Sequence, residues 1–130
     1  MTSEFVHLHN HSDYSLLDGA QRIDQLVNTI DDLNMDAVAL TEHGNMFSVL
    51  PYYKQAKKAG IKPIIGCEIY VAVGSRFEKK TRSDGGWGNN HLILLAQNFT
   101  GYKNLMKLVT AGYLEGFYYR PRIDMDLLRE

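Results

Sequence analysis

Apolar residues along this chain recur with two different periods. Ile23, Leu26, Val27, Ile30 and Leu33 fall at spacings of three and four, which predicts an amphipathic helix. A second helix is predicted from Ser48, a plausible N-cap, with Pro51 in the first turn and Tyr52, Tyr53, Ala56 and Ala59 inward. Gly60 would close it in a left-handed conformation. A third helix is expected after Thr100 as cap, with Leu105, Leu108, Val109 and Gly112 on its inner face. Between these lie short β-like runs: Glu4 to His9, Asp36 to Thr41, Lys62 to Gly66 (followed by Cys67 to Val73), and His91 to Ala96. Strand and helix patterns alternate, so the expected class is α/β. Residues 74–90 are polar and glycine-rich, the longest irregular stretch; 116–124 reads as a loop, and Met125 to Glu130 as the opening of a further helix. The pattern breaks off there, so residues 1–130 read as part of a domain that continues.

Composition narrows the class without choosing a function. The formal net charge is −1, so any role with nucleic acid must come from local features. Cys67 is the only cysteine, which rules out an internal disulfide; with no signal-like apolar stretch at the N-terminus, a reducing, cytoplasmic setting is expected. Apolar runs fall far short of the roughly 20 residues that span a bilayer, so no membrane association is expected.

The polar residues that could carry chemistry sit where strands end. His9 and His11 follow the first predicted strand, Glu42 and His43 the second, and Glu68 the third. Loops beyond the carboxyl ends of strands build the sites of βα folds. Imidazoles and carboxylates gathered there suit zinc, manganese or iron better than a cysteine-rich structural zinc site. In an extended backbone His9 and His11 share a face, but so does His7, and spacing alone does not exclude it. A lone strand histidine is more often an ordinary hydrogen-bonded residue, which is the reading for His7. Asp18 precedes Gly19 and could be turn punctuation as readily as a ligand. Glu42 could cap the second helix or orient His43 from behind. Glu68 would be costly to bury unpaired, which favours a cation nearby. His91 opens its strand, so either that strand runs against its neighbours or the preceding loop folds over the site. Cys67 should point away from Glu68 as an inert buried thiol. The segments Tyr118 to Arg122 and Lys79 to Arg82 could contact phosphates, although short basic runs are more often simply solvated.

Four stretches in order, HLHNHSDYSLLDG, LTEHGNM, AGIKPIIGCEIYV and HLILLAQNFTGYKNLMKL, resemble the PHP domain family (polymerase and histidinol phosphatase). The framing IKPIIG and NxTGYxNL is similar to the branch that opens bacterial replicative DNA polymerases. The resemblance implies the N-terminal portion of an irregular seven-stranded (β/α) barrel. It implies a metal centre with His9, His11, Asp18, His43, Glu68 and His91 as ligands, Glu42 behind them and His7 outside. A cysteine, an aspartate and a histidine that complete the family's centre are expected beyond residue 130. The implied cofactors are divalent cations, zinc or manganese, with iron or magnesium as further choices, up to three in a complete domain. The implied chemistry is phosphoester hydrolysis by metal-activated water, here a 3′–5′ exonuclease that could proofread. Template-directed synthesis would reside elsewhere in the full-length protein, with DNA and other replisome subunits as partners. The alternatives are a free-standing phosphatase of the histidinol-phosphatase type and a non-catalytic scaffold. Alone, the segment is expected to be inactive and to self-associate through open strand edges.

Overall fold

The computed structural model describes residues 4–16, 18–79 and 89–130. Its organising element is a long strand that serves two cores in succession. In chain order the elements are α1 (Ile23–Asp32), β1 (Ala37–Leu40), α2 (Val49–Lys58), β2 (Lys62–Ala72), β3 (Asn89–Leu95), α3 (Phe99–Leu114), β4 (Arg122–Ile123) and α4 (Met125–Arg129). The first half of β2 pairs in parallel with β1, Ala37 opposite Lys62 through Leu40 opposite Ile65. Its second half pairs antiparallel with β3 and, on the other edge, in parallel with β4 at Tyr70 and Val71. The class is therefore α/β with a mixed sheet, and the antiparallel β3 resolves the question about His91 in favour of a reversed strand.

The two cores follow from the two periods. Ile23, Leu26, Val27 and Ile30 of α1 pack with Val38 and Leu40 of β1, Tyr52 and Ala56 of α2, and Ile61. Cys67, Ile69 and Val71, alternate residues of β2, pack with Leu105 of α3 and Ile123 of β4. The opposite face of that half-strand, Glu68 and Tyr70, is thereby turned away from α3.

Several expectations need correction. Glu4 to His9 forms no strand. The amides of Ala39 and Thr41, two residues apart, donate to the carbonyls of His7 and Asn10, three residues apart. The N-terminal segment gains one residue on its partner, and a regular ladder cannot form. Leu33 lies past the end of α1 and is 52 % exposed. Tyr53 faces outward on α2 and Ala59, the C-cap just past its end, is exposed, while Gly60, at φ 78°, closes that helix as expected. The α3 cap is Asn98, whose side chain accepts the Gly101 amide proton; Thr100 sits within the first turn. The expected loop at 116–124 contains β4. Of the irregular stretch 74–90, residues 80–88 lie outside the described residues, and with them Lys80 to Arg82.

Arg122 was a candidate for phosphate contact, and the fold assigns it otherwise. It is 2 % exposed and donates to the carbonyls of Gly116, Arg76 and Glu78. Beside it Asp124 caps α4, accepting from the amides of Leu127 (3.0 Å) and Arg76 (2.9 Å) and from the Arg76 guanidinium (3.0 Å). Burial would raise the Asp124 pKa, but these donors hold it below the usual carboxylate range. A depressed carboxylate stabilises the fold above its unfolded pKa, about 3.9, and that contribution fades as pH falls through the folded value. Asp124→Ala is expected to cost about 2–4 kcal/mol near neutral pH, from the cap and the charged hydrogen bonds together. Urea midpoints measured from pH 7 to pH 3 should show the gap between wild type and variant narrowing at the acid end.

Candidate metal centre

Glu68 lies inside β2 on the face opposite Cys67 and Ile69, and is 2 % exposed. Its two oxygens meet four imidazoles. Oε2 lies 2.6 Å from His9 Nε2 and 3.1 Å from His11 Nε2. Oε1 contacts His91 Nδ1 and lies 3.2 Å from His43 Nδ1. The four histidines arrive by three routes. His91 pairs with Tyr70 across the antiparallel ladder, so it stands diagonally beside Glu68 on the same face. His43 follows β1 and bridges in parallel to Glu68, between the stretches of β2 that pair with β1 and β4. His9 and His11 come from the N-terminal segment, their Nε2 atoms 3.0 Å apart and their rings nearly perpendicular. Asp18 joins through its contact with His43 Nε2, and the rings of His11 and His43 stack at 3.9 Å.

What fixes the loop carrying His11 and Asp18 is Glu42. This carboxylate is 1 % exposed and accepts from the Ser12 amide (3.1 Å) and from the hydroxyls of Ser12 and Ser15. The Ser15 oxygen in turn accepts the His43 amide proton at 3.0 Å. Glu42 thus stands behind the site, but it acts on the serine loop and neither caps α2 nor touches the His43 ring. Gly19 closes the same loop, since a Cβ there would fall on the Ser12 carbonyl oxygen. Gly44 turns the chain after His43 at φ 60°, where a Cβ would lie 2.8 Å from Pro121 and 2.9 Å from the Tyr70 ring.

The electrostatics suit a cation. Burial raises the Glu68 pKa, but hydrogen bonds from His9 and His91 and the charges of His43 and His91 outweigh it, and the net shift is downward. Burial, then the neighbouring His43, lowers the His11 pKa, which keeps its ring neutral and its lone pair available near neutral pH. Asp18 is held low by its hydrogen bond and charge interaction with His43. Two buried ring atoms, His11 Nδ1 and His43 Nδ1, have no hydrogen-bond partner, the latter being close to Glu68 without hydrogen-bond alignment. Among the described residues three groups could each hold an ion: His9, His11 and Glu68; His11, Asp18 and His43; His43, Glu68 and His91. Within each group the ligand atoms lie within 4.8 Å of one another. Nitrogen and oxygen donors of this kind fit zinc, manganese or iron, and no thiolate takes part.

All six candidate ligands are thus brought together, and two other residues are not. His7 packs edge-on against Phe5 (4.8 Å) and joins none of the three groups. Cys67 is buried on the opposite face, its thiol pushed up to about 12 chiefly by that burial. Sequence reasoning missed Ser12, Ser15 and Tyr70. Tyr70 was within reach: two residues after Glu68 on a strand, it must share that face.

A mixed sheet with imidazoles and carboxylates converging on one buried glutamate defines an α/β domain with a candidate metal centre. The PHP domain family model matches residues 7–130, and the chain belongs to that family. It is 59% identical over 128 residues to the DNA polymerase III subunit alpha of Borreliella burgdorferi, 98% of this chain and 11% of that protein. Identity to the same subunit is 50% in Aquifex aeolicus, over 100% of this chain and 12% of that one. In Treponema pallidum it is 53%, over 97% and 11%. The chain is homologous to the N-terminal segment of these subunits and spans about a tenth of their length. Among solved structures, an amidohydrolase from Chromobacterium violaceum with bound sulfate and no metal aligns at TM-score 0.54 and 21% identity. That alignment covers 82% of this chain and 34% of the other. A protein from Bifidobacterium adolescentis, provisionally described as a metal-dependent phosphoesterase, aligns at TM-score 0.53 and 16% identity, over 83% and 34%. Among the described residues no helix is long and apolar enough to cross a membrane.

Proposed function

We propose that this chain is the opening part of a metal-dependent phosphoesterase domain within a replicative DNA polymerase subunit, hydrolysing phosphodiesters as a 3′–5′ exonuclease that proofreads. The observation that carries this reading is that the buried carboxylate of Glu68 faces four imidazoles. His9, His11, Asp18, His43, Glu68 and His91 are the proposed ligands for zinc or manganese, with iron or magnesium as alternatives, and further segments would complete the barrel and a centre of up to three ions. Bound divalent cations supply a lowered pKa for water and charge neutralisation at the phosphorus. The chain's own residues set the geometry: neutral His11 offers a lone pair, Glu68 serves two groups at once, and Glu42 holds the serine loop in place. DNA and other polymerase subunits are the proposed partners, and template-directed synthesis belongs to parts of the protein outside these residues.

The test is metal analysis and 3′-end release from labelled DNA by the full-length protein carrying His9→Ala with His11→Ala. Loss of bound metal and a fall in nuclease rate of about 100-fold or more is expected, because two ligands leave one group. A wild-type protein without bound metal, whose nuclease rate the double substitution does not change, would leave only a scaffold role.

A further inference from the structure

We propose that Arg120 forms the anion-binding wall of this site and takes a phosphate oxygen of the substrate. The inference rests on the phosphoester reading above and adds the residue that recognises the substrate's charge. Tyr70 touches both the arginine and the histidines. Its ring meets His91 edge-on at 4.9 Å and runs nearly parallel to His43 at 6.3 Å. The Arg120 guanidinium carbon sits 4.9 Å from the centroid of that same ring, and Nη1 donates to the Tyr70 hydroxyl at 2.7 Å. The backbone holds this placement. Tyr119 is in a left-handed conformation at φ 57°, and Pro121 abuts Gly44, the residue after His43.

Charge accounting separates Arg120 from the other described arginines. Arg22, Arg76 and Arg129 pair with carboxylates, and Arg122 is buried among carbonyls. Among the described residues Arg120 is exposed and has no carboxylate partner; the side-chain hydrogen bond it makes goes to a phenol. A guanidinium carries five N–H donors in a planar fork suited to phosphate, and most of them are left over here. A fixed positive charge beside a cluster that gathers cations is unfavourable unless an anion comes between them. A substrate phosphate held by the Arg120 fork would offset both that charge and the charge of any cation held by the neighbouring ligand groups. Tyr70 is then a positioning residue, pinning one edge of the fork through its hydroxyl.

The experiment uses the full-length protein loaded with Mn2+, comparing wild type with Arg120→Ala, Arg120→Lys and Tyr70→Phe. The readouts are metal content, KM and kcat for 3′-end release from DNA, and the inhibition constant of inorganic phosphate. For Arg120→Ala, KM and the phosphate inhibition constant are each expected to rise about tenfold or more, the effect of losing a charged hydrogen bond, with metal content unchanged. Arg120→Lys should fall between, keeping the charge without the fork, and Tyr70→Phe should weaken phosphate inhibition less. Values for Arg120→Ala within about twofold of wild type, with hydrolysis intact, would overturn the role of Arg120 and leave the phosphoester reading standing. A loss of bound metal in Arg120→Ala would likewise overturn it, making the residue structural. A wild type that neither holds metal nor hydrolyses DNA would remove the phosphoester reading, and this inference with it.

Discussion

Glu68→Gln should empty the metal centre while leaving the sheet intact. Glu68 faces His9 and His11 with one oxygen and His91 and His43 with the other, so it belongs to two of the three candidate groups. The amide keeps the size but loses the charge and one acceptor. Removing a residue behind a metal ligand commonly costs roughly 10–100-fold in affinity. Removing a ligand shared by two groups is expected to cost more. Metal titration of the variant should show weaker binding than in His9→Ala or His91→Ala, whose residues belong to one group each, with an unchanged far-ultraviolet circular dichroism spectrum, because the Glu68 backbone stays in its ladder. Wild-type metal content in Glu68→Gln would refute the assignment of Glu68 as a ligand shared by two groups.

The second large effect is expected at Glu42, which touches none of the ligand rings. Glu42→Ala would leave the Ser12 amide and two serine hydroxyls without an acceptor in a place closed to water. Together with the cavity, the expected loss of stability is about 3–5 kcal/mol. Glu42→Gln retains one acceptor and should lose about 1–2 kcal/mol. Because the serine loop carries His11 and Asp18, metal affinity should fall in the same order, glutamine before alanine. Denaturant melts of the metal-free proteins, paired with metal titrations, separate the two effects. Equal stability of Glu42→Ala and wild type would show that the clamp is dispensable.

How much of this was legible in the sequence depends on the range of the interaction. The α1 face and the buried β1 were readable because a helix or strand face repeats locally. The N-terminal segment misled because Glu4 to His9 has strand composition. The residue it gains between His7 and Asn10 shifts the side-chain alternation, which is why spacing alone could not separate His7 from His9 and His11. The role of Glu42 was half visible. Its burial behind the site follows from alternation with His43, but its donors lie 27 and 30 residues away in a loop with no periodic signal. The two residues of β4 are too few to show any period, and Arg122 within it looked like a surface cation because no local pattern announces a buried arginine. The family resemblance supplied the ligand set that spacing left open, and the fold brings those six side chains together.

The division of β2 has one more consequence. Its first half belongs to the core built on α1 and α2, its second to the core built on α3, and the six side chains are drawn from both sides of that division. His9, His11, Asp18 and His43 travel with the first half, Glu68 and His91 with the second. An occupant of the site would therefore act as a rivet between two units that could otherwise open separately. Its binding free energy would be felt in amide-proton exchange across both.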